Sequence, residues 1–147
     1  MVKKYRLLFV LSLVLLAAVI VGISTNYLLG ASANHSNQVN ITLSDFKIQT
    51  SQTSFVAKNT YHFVVTNAGH TNHEFMVMKP MSGQMSMGQM DQGALTHIDQ
   101  SQLPPGASKS FDFTFPASAG SEILELACHM PGHYEAGMHL LITVKQG

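Results

Sequence analysis

Hydrophobic and polar positions alternate along most of the chain beyond residue 38. Val39, Ile41 and Leu43 fall on one side of a two-residue period, as do Tyr61, Phe63 and Val65, and again Phe111, Phe113 and Phe115. Successive side chains of a strand point to opposite faces, so this alternation predicts strands with one buried face. Segments 75–78, 122–128 and 138–145 read as further strands, with shorter ones near Phe46 and Phe55. Asn67-Ala68-Gly69, Pro104-Pro105-Gly106 and Pro116 supply the breaks between them. No stretch of this region keeps a helical period. Seven or eight strands in roughly 110 residues predict an all-β fold, an antiparallel Greek-key sandwich.

The first 33 residues follow a different pattern. Lys3, Lys4 and Arg6 precede an uncharged, mostly apolar run from Leu7 to Ser24, and Ala31-Ser32-Ala33 follows. A basic flank, an apolar stretch and small residues make an export signal. The run is also long enough to cross a bilayer as a helix, so cleavage after Ala33 and an uncleaved N-terminal membrane anchor both stay open. Either way the basic flank is held on the cytoplasmic side, which places residues from Asn34 onward outside, periplasmic or extracellular. The chain is therefore expected to consist of a signal peptide or anchor over 1–33 and one exported domain over 34–147. Within that domain, residues 80–93 are a Met, Gln, Gly and Ser segment with neither strand nor helix period, an excursion from the sandwich.

Composition narrows the chemistry. Formal net charge is zero and charged residues make up 11% of the chain, so no basic stripe offers itself to nucleic acid. Nine Met, eight His and one Cys stand out, and these side chains offer soft sulfur and imidazole nitrogen to a transition metal. A lone Cys128 in an exported chain cannot form an internal disulfide and is open to oxidation if left free. Metal binding, burial as an inert hydrophobe and pairing between chains are the three reasons such a residue can have.

Its neighbours favour the first. Between two predicted strands the segment Cys128-His129-Met130-Pro131-Gly132-His133-Tyr134-Glu135-Ala136-Gly137-Met138 sets a thiol, an imidazole and a thioether at C-x4-H-x4-M. These are three parts of a trigonal His2Cys copper site with a weak axial Met, and one more histidine has to come from elsewhere. His70 and His73 are the candidates. His73 is in phase with Phe75 and Val77, Cys128 with Leu124 and Leu126, and Met138 with Leu140, Ile142 and Val144, so all three face the interior at one end of the sandwich. His70 falls in the turn after Asn67, and His129 and His139 are out of phase and should point away. His73 is accordingly the preferred fourth ligand. His35, His62 and His97 lack such company and read as surface residues.

The loop resembles that of the single-domain cupredoxins, the type 1 blue copper proteins, and its C-x4-H-x4-M spacing is similar to the rusticyanin and sulfocyanin group. The resemblance extends over about residues 39–144. It includes Asn67-Ala68-Gly69 ahead of His73-Glu74-Phe75, Leu103-Pro104-Pro105-Gly106 ahead of a strand, Pro131-Gly132-His133 and Ala136-Gly137-Met138. It implies one mononuclear copper ion with His73, Cys128 and His133 as equatorial ligands and Met138 as the long axial one. It also implies one-electron transfer to transient redox partner proteins, docking where the outer edge of His133 approaches solvent. The Met-rich insert after Met78 departs from the pattern, as does His139, where a small residue is expected.

Rival copper chemistries need groups this chain lacks. A binuclear site needs a second bridging cysteine, and multicopper enzymes need further ligands, yet there is one Cys and no His-x-His pair. This argues for a carrier and against an enzyme. The remaining alternative concerns role. Met81, Met85, Met87 and Met90 in the insert, joined by Met76 and Met78, are clustered thioethers that favour Cu(I). They suit copper homeostasis or resistance, although an adaptable methionine-rich surface accounts for them as well.

Overall fold

The buried face of the first alternating run is Val39, Ile41 and Leu43, and the run forms β1 (Gln38–Ser44). It is followed by β2 (Lys47–Thr50), β3 (Ser54–Val56), β4 (Thr60–Asn67), β5 (Phe75–Met78), β6 (Thr96–Ile98), β7 (Ser108–Thr114), β8 (Ile123–Ala127) and β9 (His139–Lys145). This computed structural model describes residues 37–80 and 92–147. The expected leader over 1–33, His35, and Met81, Met85, Met87 and Met90 lie outside the described residues. Among the described residues, no helix is long and apolar enough to cross a membrane.

The strands form two sheets, in the orders β2-β1-β4-β7 and β3-β9-β8-β5-β6. The expected sandwich is present, but its pairing is mixed, since β1 runs parallel to β4 and β3 parallel to β9. Parallel neighbours require a crossover connection. The chain supplies it by turning back through β2, crossing to the other sheet as β3 and returning as β4 beside β1. Short β6 was not anticipated, because three residues carry too little alternation to register.

Aromatic rings fill the space between the sheets. Phe55 lies 5.0 Å from Tyr61 and 4.9 Å from Phe115 by ring centroid, and Phe63 stacks on Phe111 at 5.5 Å. Edge-on and offset contacts of this kind add about 0.5–1.5 kcal/mol each beyond the area they bury. Phe63 is fully buried, and truncating it to alanine should cost about 3–5 kcal/mol.

The strands beside the loop between β8 and β9 depart from simple alternation. All four residues of β5 are buried, Met76 and Met78 forming a small second cluster with Ala94 on the outer face. On β8, Glu125 and Ala127 are buried as well as Leu124 and Leu126. That outer face is covered partly by a side chain that returns from the loop between β8 and β9.

Candidate metal centre

Three neighbouring strands position the predicted ligands. In the five-stranded sheet β8 runs antiparallel to both β5 and β9, so the start of β5, the end of β8 and the start of β9 meet at one end. His73 stands two residues before β5, Cys128 directly after β8 and Met138 directly before β9. The backbone knits them together: the Cys128 amide donates to the carbonyl of Met138 at 3.1 Å, and the Met138 amide to that of His133 at 3.0 Å. Gly132 and Gly137 bend the loop at φ 82 and 97 degrees, a region that side-chain-bearing residues seldom adopt.

His73, Cys128 and Met138 are fully buried, and His133 is half-buried. The two histidine Nδ1 atoms lie 3.2 Å apart, and Sγ of Cys128 is 3.9 Å from that of His73 and 3.5 Å from that of His133. A triangle with these edges has its centre about 2 Å from every corner, within the span of metal–imidazole and metal–thiolate bonds, about 2.0–2.3 Å. Among the described residues this is the one group of three or more His, Cys, Asp or Glu side chains spaced to hold a metal ion. Met138 shares the core cluster of Cys128 and adds a thioether. Two imidazoles, a thiolate and a thioether are the mixed soft and borderline set that suits copper.

Burial sets the electrostatics. It raises the Cys128 thiol above its usual 9.0, partly offset by backbone hydrogen bonds from Glu74 and Met130 at the sulfur. It lowers His73 below 6.5, and the neighbouring His133 lowers it further. Burial thus favours the neutral form of His73 and the protonated form of Cys128, so the thiol has to give up its proton to an incoming ion.

The loop before β5 is fastened by Asn67, which the sequence marks only as a turn residue. Buried Asn67 donates through Nδ2 to the carbonyls of Thr71 and Leu103, both at 2.8 Å, and accepts from the Gly69 amide at 2.8 Å. The His73 amide donates to the Leu103 carbonyl at 3.2 Å, so the segment carrying His73 is tied to the loop at Pro104-Pro105-Gly106.

The other histidines lie elsewhere. His70 is exposed and pairs with Asp45 through Nδ1 at 2.7 Å. His62 pairs with Asp112 at 2.7 Å, and His97 is exposed. His129 and His139 are on the outer face of the sheet, as their phase requires, but His129 is buried. Tyr134 accounts for this: its ring lies between those of His129 and His139, 4.4 Å from each and nearly parallel to both. Small Ala127, opposite His139 in the ladder, leaves room for that ring. Phe46, in the turn between β1 and β2, makes a T-shaped contact with His133, 5.4 Å between ring centroids. Tyr134 lies within the motif segment itself, next to His133, whereas Phe46 approaches from the distant β1–β2 turn, which the motif spacing does not point to.

No family model matches the chain. It is 27% identical to the copper-resistant cuproprotein CopI of Pseudomonas aeruginosa, over 78% of this chain and 79% of that one. It is 33% identical to the CopI of Vibrio cholerae, over 74% of this chain, and spans 64% of that relative's length. Among solved structures, reduced auracyanin from Roseiflexus castenholzii superposes with a TM-score of 0.55 at 19% identity, covering 76% of this chain and 98% of that one. Rusticyanin from Thiobacillus ferrooxidans does so with a TM-score of 0.56 at 16% identity, covering 74% and 78%. With this sandwich, and with two imidazoles and a thiol meeting beside a buried methionine at one end of it, the chain has the cupredoxin fold and a donor set that fits one type 1 copper ion.

Proposed function

We propose that the protein is an exported one-electron carrier that works through one copper ion held by His73, Cys128, His133 and Met138. The observation that carries this reading is the triangle of Nδ1, Nδ1 and Sγ atoms, whose edges of 3.2, 3.9 and 3.5 Å suit a single ion. Bound there, copper would supply a Cu(II)/Cu(I) couple, which its mixed ligand set keeps accessible in both directions. The chain's own contribution is rigidity. His73, Cys128 and Met138 are buried at strand ends and tied by backbone hydrogen bonds, so the ligands need move little when the charge changes. His133 is half-buried and lies beside Phe46, itself 52% exposed, which offers a small apolar rim for brief docking. Copper loading of the purified domain tests the reading. An intense thiolate-to-copper band with a reversible one-electron wave is expected, and a loaded protein lacking both would refute it.

A second role, copper handling, is favoured by the curated relatives, both named copper-resistant cuproproteins. Met76 and Met78 on the outer face of β5 flank the start of the methionine-rich segment. Changing Met81, Met85, Met87 and Met90 together to Leu distinguishes the roles. A carrier alone keeps its Cu(I) stoichiometry, whereas a handler binds extra Cu(I) that the variant loses, because leucine offers no donor atom.

A further inference from the structure

The turn between β1 and β2 belongs to the four-stranded sheet, yet it reaches across to both imidazoles of the candidate centre. Its Phe46 adopts φ 60 degrees, a left-handed conformation uncommon for a side-chain-bearing residue and retained where the surroundings require it. With the backbone turned this way, Phe46 meets His133 in a T-shaped contact and the preceding Asp45 faces His73. Oδ1 of Asp45 lies 4.0 Å from Nε2 of His73.

Three observations give that proximity a purpose. First, Nε2 of His73 is buried without a hydrogen-bond partner among the described residues. When Nδ1 of a neutral imidazole binds a metal, Nε2 carries the proton, and a buried N–H without an acceptor costs about 1–3 kcal/mol. Second, the carboxylate is held in place by His70. The His70 amide donates to Oδ1 at 2.9 Å, and Nδ1 of His70 meets Oδ2 at 2.7 Å. Third, residue 69 is glycine where a Cβ would lie 2.7 Å from both Oδ1 of Asp45 and Nε2 of His73. Any other residue there would wedge the two apart.

We propose that Asp45 is a positioning residue of the metal centre, its carboxylate accepting a hydrogen bond from Nε2–H of His73 and fixing that ring to coordinate through Nδ1. The pair stands about 1 Å beyond hydrogen-bond length, within reach of a small adjustment of one side chain. Ligand imidazoles usually donate their second N–H to an outer carboxylate, carbonyl or water, and loss of that partner lowers metal affinity about 10–100-fold. A carboxylate adds charge as well, favouring Cu(II) over Cu(I). The inference rests on the copper reading given above.

The test compares the parent with Asp45→Asn, Asp45→Glu and His70→Gln, each loaded with one copper. Asp45→Asn should keep the visible band but bind Cu(II) about tenfold more weakly relative to Cu(I), which raises a one-electron potential by about 59 mV. Asp45→Glu should recover part of that shift. His70→Gln keeps the carboxylate and the backbone amide that donates to Oδ1, so it should shift the potential less than Asp45→Asn does. In the Cu(I)-loaded parent the Nε2 proton of His73 should exchange slowly by NMR, and in Asp45→Asn it should exchange faster. An unchanged potential in Asp45→Asn overturns the proposal while the parent's visible band upholds the copper reading. An equal shift in His70→Gln also overturns it, since the effect would then come from the turn tether. A parent that takes up no copper overturns both readings.

Discussion

The hydroxyl of Tyr134 donates to both carboxylate oxygens of Glu125, at 3.2 and 3.1 Å, and so fastens the loop between β8 and β9 to the middle of β8. Glu125 is only 1% exposed, and a buried carboxylate depends on donors of this kind. Nδ1 of His139 stands 3.7 Å from the same group. Tyr134 directly follows a predicted ligand, so the latch bears on the loop that carries His133. Tyr134→Phe keeps the ring between His129 and His139 but removes the donor. It should cost about 1.5–3 kcal/mol, the range for a hydrogen bond to a charged group, read as a lower urea midpoint with an unchanged slope.

Cys128→Ser should abolish the intense visible band of the copper-loaded protein, because a hydroxyl is far less acidic and a harder donor than a thiol. Circular dichroism should show the sandwich intact, since the change removes little volume. An unaltered spectrum would remove Cys128 from the site.

His73→Ala should weaken copper binding far more than His70→Ala. His73 is buried with Nδ1 3.2 Å from that of His133, whereas the side chain of His70 is 91% exposed and turned to Asp45. Copper titration of the two variants decides the matter, and the reverse order would exclude His73 as a ligand.

Met138→Leu should retain copper and raise the reduction potential, as loss of a weak axial thioether withdraws stabilisation from the oxidised ion more than from the reduced one. Voltammetry compares the two proteins. Complete loss of copper would show Met138 to be a main ligand.

The metal-free protein should lose stability as pH falls below about 6.5. Burial depresses both His73 and His129 below that value in the folded state. The unfolded chain therefore takes up protons first, and the stability present in full above 6.5 is lost as pH falls toward the folded pKa values. Cys128 acts in the opposite sense: its raised pKa contributes stability below 9.0 that is lost as pH climbs through the higher folded value. Thermal unfolding between pH 5 and 10 should give a plateau between two declines. Copper affinity should fall in acid, because protons compete for the same sulfur and nitrogen atoms.

The alternation of Val39-Ile41-Leu43 and Tyr61-Phe63-Val65 suffices to predict a sandwich, because burial of one sheet face is a local property with a two-residue period. The C-x4-H-x4-M spacing and the phase of His73 are legible for the same reason: a residue beside a strand inherits the strand's parity. On this basis the sequence alone determined the all-β class and which histidines and sulfurs could converge. Parity also places His129 on the outer face, but says nothing of its burial beneath Tyr134. That burial and the Tyr134 latch on Glu125 depend on how the loop folds back over its own strand, while the parallel entry of β4 beside β1 and the approach of Asp45 and Phe46 to the two imidazoles depend on segments distant in the chain. Periodicity specifies which face a side chain takes, but not what the rest of the chain lays against that face. Only the packed tertiary structure, where the β1–β2 turn crosses to the other sheet and Gly69 leaves it room, decided those contacts.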